Sequence, residues 1–341
     1  MTFAWRWVLM SIKPPTETLS KPALPVTCQA DFHRRWGHLR DPHVRSLAWL
    51  LSAPDLLDLQ APQWRGLIAT LGGAVDQAAV DWLAKLDAAP AGLHAFLDIG
   101  PFTRLGRYAE KLLAYYFLHQ GTLFAHGIQV RASKDDTVGE FDFLLWDETA
   151  PETALLHWEF ATKFYLLESG GAGLEADYFV GPSLTDTLGA KMRKILDRQL
   201  LLAQHPAAQI HLPQPVVSAR ALIKGWLFYH GGDRLPPAMG LSPAHCRGFW
   251  CTLPEFAAVR AERLAILPRL SWLAPVRMPL AAALDKPQLI STLAAQFEHS
   301  TMPVMVALLR QHGDCLLETS RGFIVPDDWR GRAHQRRRRA I

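Results

Sequence analysis

Residues 139–146 read GEFDFLLW and residues 155–167 read LLHWEFATKFYLL. Side chains alternate across a β-strand, so Glu140, Asp142 and Leu144 share one face of the first segment and Phe141, Phe143 and Leu145 the other. In the second segment His157, Glu159, Ala161 and Lys163 share a face, opposite Trp158, Phe160, Thr162 and Phe164. Both segments have the aromatic content of core strands. Each nevertheless carries a carboxylate at its middle, which is costly to bury without a partner. Two adjacent strands that turn these acids to the same side bring them within a few ångströms of each other. There they raise each other's pKa or recruit a cation.

The flanking sequence sets these segments in an α/β order. Phe102 to Gln120 has an apolar stripe at helical spacing (Leu105, Tyr108, Ala109, Leu112, Leu113, Tyr116, Phe117), with Thr103 as its candidate cap. Leu123 to Ala132 is a first strand, and Gly139 to Trp146 and Leu155 to Leu167 are the second and third. Gly170, Gly171 and Gly173 then break the chain. Thr185 to Ala203 is a periodic helix and Val216 to Tyr229 a further strand. The order α-β-β-β-α-β predicts a mixed central sheet flanked by helices. Residues 1–98 read as a helical N-terminal region. Pro42 to Leu51 is its clearest helix, with Asp41 as N-cap and Pro42 at the first position, and Gln63 to Leu71 and Val75 to Leu86 look similar. Residues 99–230 form the α/β core. Residues 231–329 are a C-terminal elaboration, in which Cys246 to Thr252, Ala265 to Trp272 and Met305 to Ile324 suggest short strands and loops. Residues 330–341 are an Arg-rich tail, expected to be solvated.

Composition bounds the function classes. The 341 residues are 49% hydrophobic and 20% charged, a globular mixture and not a disordered or collagenous one. No run of about 18 or more uncharged apolar residues occurs, so a spanning helix is not expected. Met1 to Met10 is apolar but interrupted by Arg6 and has no clear cleavage site, so it reads as an arm and not a secretory signal. The net charge of +4 is misleading. Residues 330–341 contain six Arg and no acid, and removing those six leaves −2 for the rest. The body is therefore near neutral and has no generally basic surface. The four Cys match no common zinc spacing, and reduced thiols of a cytoplasmic protein are expected.

An acid on one strand, a Glu and a Lys on the next, and a preceding helix bearing Glu110 resemble the PD-(D/E)-x-K nuclease superfamily. The strings RLGRYAEKLLAYYF, GEFDFLL, HWEFATKFYLL, GPSLTDTLGAKMRKILDRQLLL, LPRLSWLAP and RGFIVPDDW together resemble a bacterial family, domain-of-unknown-function family 1853, grouped with that superfamily. The resemblance implies a restriction-endonuclease-like fold and metal-dependent hydrolysis of DNA or RNA, with nucleic acid as partner and no membrane. It makes Asp142 the metal-binding acid of the second strand, Glu159 that of the third, Lys163 the catalytic lysine and Glu110 the helix acid. Mg²⁺ or Mn²⁺ is the implied cofactor, held by Asp142, Glu159 and Glu110. Gln199 is a looser match to a polar residue facing the site, and His157 is a further accessory candidate.

The usual motif is Glu-x-Lys, but here position 161 is Ala and the lysine is Lys163. Two strand positions span ~6.6 Å and four span ~13 Å. Lys163 is thus on the expected face but one residue pair too far along. Lys191 or Lys194, in the helix that follows, is the alternative source of the charge. Two other readings stand beside the hydrolase. One is a nuclease fold that binds nucleic acid without turnover. The other is a scaffold or interaction module in which Glu159 forms a structural ion pair with Lys163 or with Arg107.

Overall fold

Asp41 closes a helix N-terminus as its position predicts. Its Oδ1 accepts the backbone N–H groups of His43 and Val44, and Pro42 sits in the first turn, where no N–H is needed. The computed structural model describes residues 27–72, 75–98, 104–147, 153–168, 176–231 and 240–338. The Met1–Met10 arm, the Thr103 cap and the break at Gly170, Gly171 and Gly173 lie outside the described residues. Before the first strand come helices α1 (Cys28–Trp36), α2 (Pro42–Ser52), α3 (Gln77–Ala88), α4 (Ala91–Leu97) and α5 (Leu105–His119).

The strands are β1 (Leu123–Ser133), β2 (Asp136–Asp147), β3 (Ala154–Leu167), the two-residue β4 (Phe179–Val180), β5 (Val216–Tyr229), β6 (Cys246–Thr252), β7 (Arg263–Ile266), β8 (Arg277–Pro279), β9 (Val304–His312) and β10 (Cys315–Val325). They form one ten-stranded mixed sheet in the order β1-β2-β3-β5-β6-β10-β9-β7, with β4 paired to β3 and β8 to β10. β1, β2 and β3 are antiparallel neighbours. The pairs β3–β5, β5–β6 and β6–β10 are parallel. Helix α6 (Leu188–Asp197) crosses between β4 and β5. The last third of the chain continues this same sheet, so it is an elaboration of it. It also contains two helices, α7 (Leu253–Phe256) and α8 (Lys286–Phe297), that the expectation of short strands and loops omits. Asp285 and Gln288 cap α8 reciprocally, a signal present in the sequence.

The core lies on both faces of the sheet. Leu47 and Leu50 of α2 and Leu112 and Leu113 of α5 pack with Phe143, Phe160 and Trp226 on one face. Met192 and Ile195 of α6 pack with Ala161, Tyr165 and Ile223 on the other. Gly225 pairs with Lys163 across β3–β5, and a Cβ there would collide with the Lys163 carbonyl. Among the described residues, no helix is long and apolar enough to cross a membrane.

Three local expectations are corrected. Gln63–Leu71 is not helical. A 3-10 turn over Pro62–Trp64 leads into extended chain, where Ala69 N–H donates to Ala221 O and Ala221 N–H to Leu67 O. β5 pairs with β6 only from Trp226 onward, so its edge at Ala221 is open to this segment. Phe141 does not join Phe143 and Leu145. It packs with Leu144, Val130 and Leu202, while the other two enter the main core. This break in alternation falls where the β2–β3 ladder ends. The described part of the Arg-rich tail is helical, within α9 (Trp329–Arg338), and is anchored to the rest of the fold. Trp329 is fully buried, and its indole N–H donates to Pro182 O. Arg330 lies over the Trp250 ring, and Arg336 donates to Leu184 O and Thr185 O.

Candidate functional site

β2 and β3 pair from Asp147↔Ala154 to Phe143↔Trp158, and then the ladder stops. The next β3 amide, Phe160 N–H, donates to Asp142 Oδ2 at 2.8 Å instead. The two strands part there, and a carboxylate takes the place of a backbone carbonyl. Helix α5 lies against the opening and presents Glu110. One oxygen from each of Glu110, Glu140 and Asp142 lies within 4.8 Å of the others. All three acids are half-buried.

Strand β1 borders this trio through His126 and Gly127. His126 Nδ1 is 4.0 Å from Glu110 Oε1. Gly127 has φ +64°, and a Cβ there would stand 3.7 Å from both Glu110 Oε1 and Glu140 Oε1. The left-handed backbone favours glycine, and glycine leaves the mouth of the trio open.

Glu159 is 1% exposed and lies deeper. Its Oε1 is 3.1 Å from His157 Nε2, and its Oε2 accepts from Gln199 Nε2 at 2.5 Å. Gln199 Oε1 in turn accepts from Lys191 Nζ at 3.1 Å. A continuous chain of hydrogen bonds thus runs from the Lys191 ammonium through an amide and a carboxylate to an imidazole. His157 is fully buried against the Phe141 ring, and burial holds its pKa down to about 4. With Nε2–H donating to Glu159, the ring is neutral and Nδ1 is left without a partner.

Electrostatics follow from this crowding. Burial first, and then the charge of Glu159, hold the Asp142 carboxyl well above the ordinary carboxylate range. The Phe160 N–H and Lys191 oppose the shift. Burial also raises Glu159, while Lys191 and a hydrogen bond from Asp142 act the other way. Lys191 is held below its usual value by burial and by Lys163, against the pull of Glu159 and Asp142. Burial and mutual repulsion thus disfavour full ionisation of Asp142 and Glu159.

The residues singled out from sequence fall into two groups. Glu110 and Asp142 lie together, and Glu159, Gln199, His157 and Lys191 join them through the hydrogen-bonded chain. Lys163 does not join. Its Nζ is 3.3 Å from Asp186 Oδ2, which also accepts the Tyr165 hydroxyl at 2.8 Å. The reason is the strand rise, which carries Lys163 past the acids to a partner of its own. The small Ala161 packs beside Met192 and Ile195, which seats α6 close on β3 and brings Lys191 to the acids. No Glu159–Lys163 ion pair forms, because each side chain is engaged elsewhere. The trio with mutually close oxygens includes Glu140 in place of Glu159. Alternation had placed Glu140 on the face of Asp142, and that was the available signal for it. Gly127 and His126 carried no signal of their own.

The model of a family described as a domain of unknown function, DUF1853, matches residues 45–325. No curated protein and no solved structure matches the chain.

Proposed function

We propose, for a chain that belongs to the DUF1853 family, that the acid cluster binds a divalent cation and that the protein hydrolyses phosphodiester bonds in DNA or RNA. The observation that carries this reading is the trio of carboxylates, from one helix and one strand, with oxygens within 4.8 Å at the point where two strands part. The donor set is all hard oxygen, which suits Mg²⁺ or Mn²⁺. Glu110, Glu140 and Asp142 would hold the ion. When bound, it supplies Lewis-acid charge to a phosphoryl oxygen and lowers the pKa of a bound water. Lys191 contributes a positive charge beside the acids and stabilises the extra charge of a phosphate in the transition state. Gln199 fixes the Lys191 ammonium by one end of its amide and Glu159 by the other, so Glu159 is a positioning residue. The order α5-β1-β2-β3-α6-β5, with acids on α5, β2 and β3, supports the resemblance to PD-(D/E)-x-K nucleases.

One observation favours a second reading, binding of nucleic acid without turnover. Both oxygens of Glu159 are already occupied, and the third-strand acid of the motif is therefore not free to ligate. A direct experiment separates the two. Mn²⁺ binding is measured by calorimetry, and cleavage of supercoiled plasmid and labelled RNA is followed with Mg²⁺ or Mn²⁺. Metal-dependent cleavage that is lost in Asp142→Asn and Glu110→Gln supports the hydrolase. Salt-sensitive nucleic-acid binding with no cleavage establishes the second reading. Absence of Mn²⁺ binding by the wild-type protein overturns the metal site.

A further inference from the structure

A second concave site lies away from the acid cluster. It is a cavity of about 650 Å³ between the start of α1, the end of α2 and the start of β6. Phe32 and Trp49 line it together with His245, Arg247 and two cysteines, Cys28 and Cys246. Cys28 is the first residue of α1 and Cys246 the first of β6. They are distant in sequence, yet both line the same cavity, close enough for each thiol to shift the other's pKa. Cys28 is half-buried there and Cys246 buried.

The surroundings lower the pKa of Cys28. The Cys246 thiol, the Arg247 backbone N–H and the Arg247 charge all lower its pKa, against burial and Asp31. Its place at the first position of a nine-residue helix adds the amide dipoles of that end. The other thiols differ. Burial pushes Cys251 up to about 12, and Cys315 Sγ donates to His312 O. Cys246 sits beside the Trp49 indole N–H, which has no oxygen or nitrogen acceptor. His245 is occupied on both nitrogens, by the Tyr229 hydroxyl and Ser242 O. A soft-metal site lacks ligands here, since among the described residues the only group of three close donors is the acid trio.

We propose that Cys28 and Cys246 are a redox pair, in which Cys28 reacts with a hydroperoxide admitted by the cavity and Cys246 resolves the product to a disulfide. The Cys28 thiolate attacks one peroxide oxygen and the O–O bond breaks. The leaving oxygen takes a proton as alcohol or water, and Cys28 becomes a sulfenic acid. The Cys246 sulfur then attacks the Cys28 sulfur, the S–O bond breaks, and hydroxide leaves with the Cys246 proton as water. Two thiols and one hydroperoxide become one disulfide, one alcohol or water, and one water. The bond clips α1 to the start of β6.

The test exposes the full-length protein to hydrogen peroxide near stoichiometry, alkylates the remaining thiols and maps the peptides by mass spectrometry. Two of the four thiols are expected to disappear, with Cys28 and Cys246 recovered in one cross-linked pair that dithiothreitol releases. In Cys246→Ser, Cys28 is expected to stop at the sulfenic acid and to be trapped by dimedone. In Cys28→Ser the consumption of peroxide is expected to cease. The proposal is overturned if all four thiols survive, if Cys28 in the wild type proceeds to sulfinic acid without a cross-link, or if the link joins Cys251 or Cys315. The wild-type map decides the matter even where a serine variant fails to fold.

Discussion

Lys191 reaches the acids from a helix, while Lys163 reaches Asp186 from the strand that carries Glu159. If the charge beside the acids is what stabilises a phosphate, the two lysines separate cleanly. Lys191→Met is expected to lower kcat of the metal-dependent cleavage by about 10²–10³-fold, and Lys163→Met to leave it little changed. An equal loss in both variants would return the role to the strand lysine. Asp142 allows a test without any substrate. Its pKa is raised in the folded state by burial and by Glu159, with Glu110 adding to the shift. Above the unfolded carboxylate pKa, the folded protein therefore holds a proton that the unfolded chain has released. Stability falls as pH rises through that window. Asp142→Asn removes this penalty and is expected to stabilise the metal-free protein by about 0.5–2 kcal/mol. The gain should grow from pH 5 toward about pH 8 in denaturant titrations. At this scale the sequence drew attention to Asp142 and Glu159 because a carboxylate inside an aromatic strand is conspicuous, and to Glu110 only through the helix that precedes the strands. Lys191 was named only as a substitute, because the seat of α6 on Ala161 is a tertiary fact that no local pattern encodes.

Between β3 and β5 the close backbone approach at Gly225 keeps the parallel pair in register beside the parted β2–β3 edge. A methyl group there meets the Lys163 carbonyl. Gly225→Ala is expected to destabilise the fold by about 1–3 kcal/mol, read as a lower midpoint in urea. An unchanged midpoint would show that the strands separate without cost. The elements themselves were largely legible. The strands at Leu123, Gly139, Leu155 and Val216 and the helix at Leu105 follow from periodicity, and the helix at Pro42 from its cap as well. The misreadings share a cause. Gln63–Leu71 has helical spacing, but the open edge of β5 offers its backbone two hydrogen bonds, and tertiary pairing prevails over local preference. The basic composition of α9 conceals Trp329, whose burial fixes the helix. In β2, alternation misassigns Phe141, which lies where the β2–β3 ladder has ended and only β1 still pairs with the strand.

One sheet carries strands from both halves of the chain, and buried polar groups on its interior strand β10 tie it to the helices and loops around it. Arg321 and Glu318 are fully buried on β10. Arg321 donates to Ala274 O, Glu318 accepts Val276 N–H, and His33 of α1 hydrogen-bonds to Glu318 O. Burial holds the imidazoles of His33 and His245 down to about 4. The unfolded chain takes up these protons near pH 6.5 and the folded chain does not. Stability therefore falls as pH drops from about 6.5 toward 4, opposite in sign to the slope from Asp142. Thermal midpoints measured between pH 7 and pH 4 should show this decline, and His245→Gln should flatten it. A His245→Gln profile no flatter than that of the wild type would contradict the burial of this ring. The parallel pairing of β6 with β10 was invisible in sequence, since strands so far apart show no sign of partnership before they meet. The anchoring of α9 reaches further than its own residues. Trp329 and Arg336 hold Pro182, Leu184 and Thr185, the approach to the helix that carries Lys191. Helix α9 thus acts as a latch on the segment that leads into α6, and removing residues 330–341 would free Leu184 and Thr185 from Arg336 without altering any residue beside the acids.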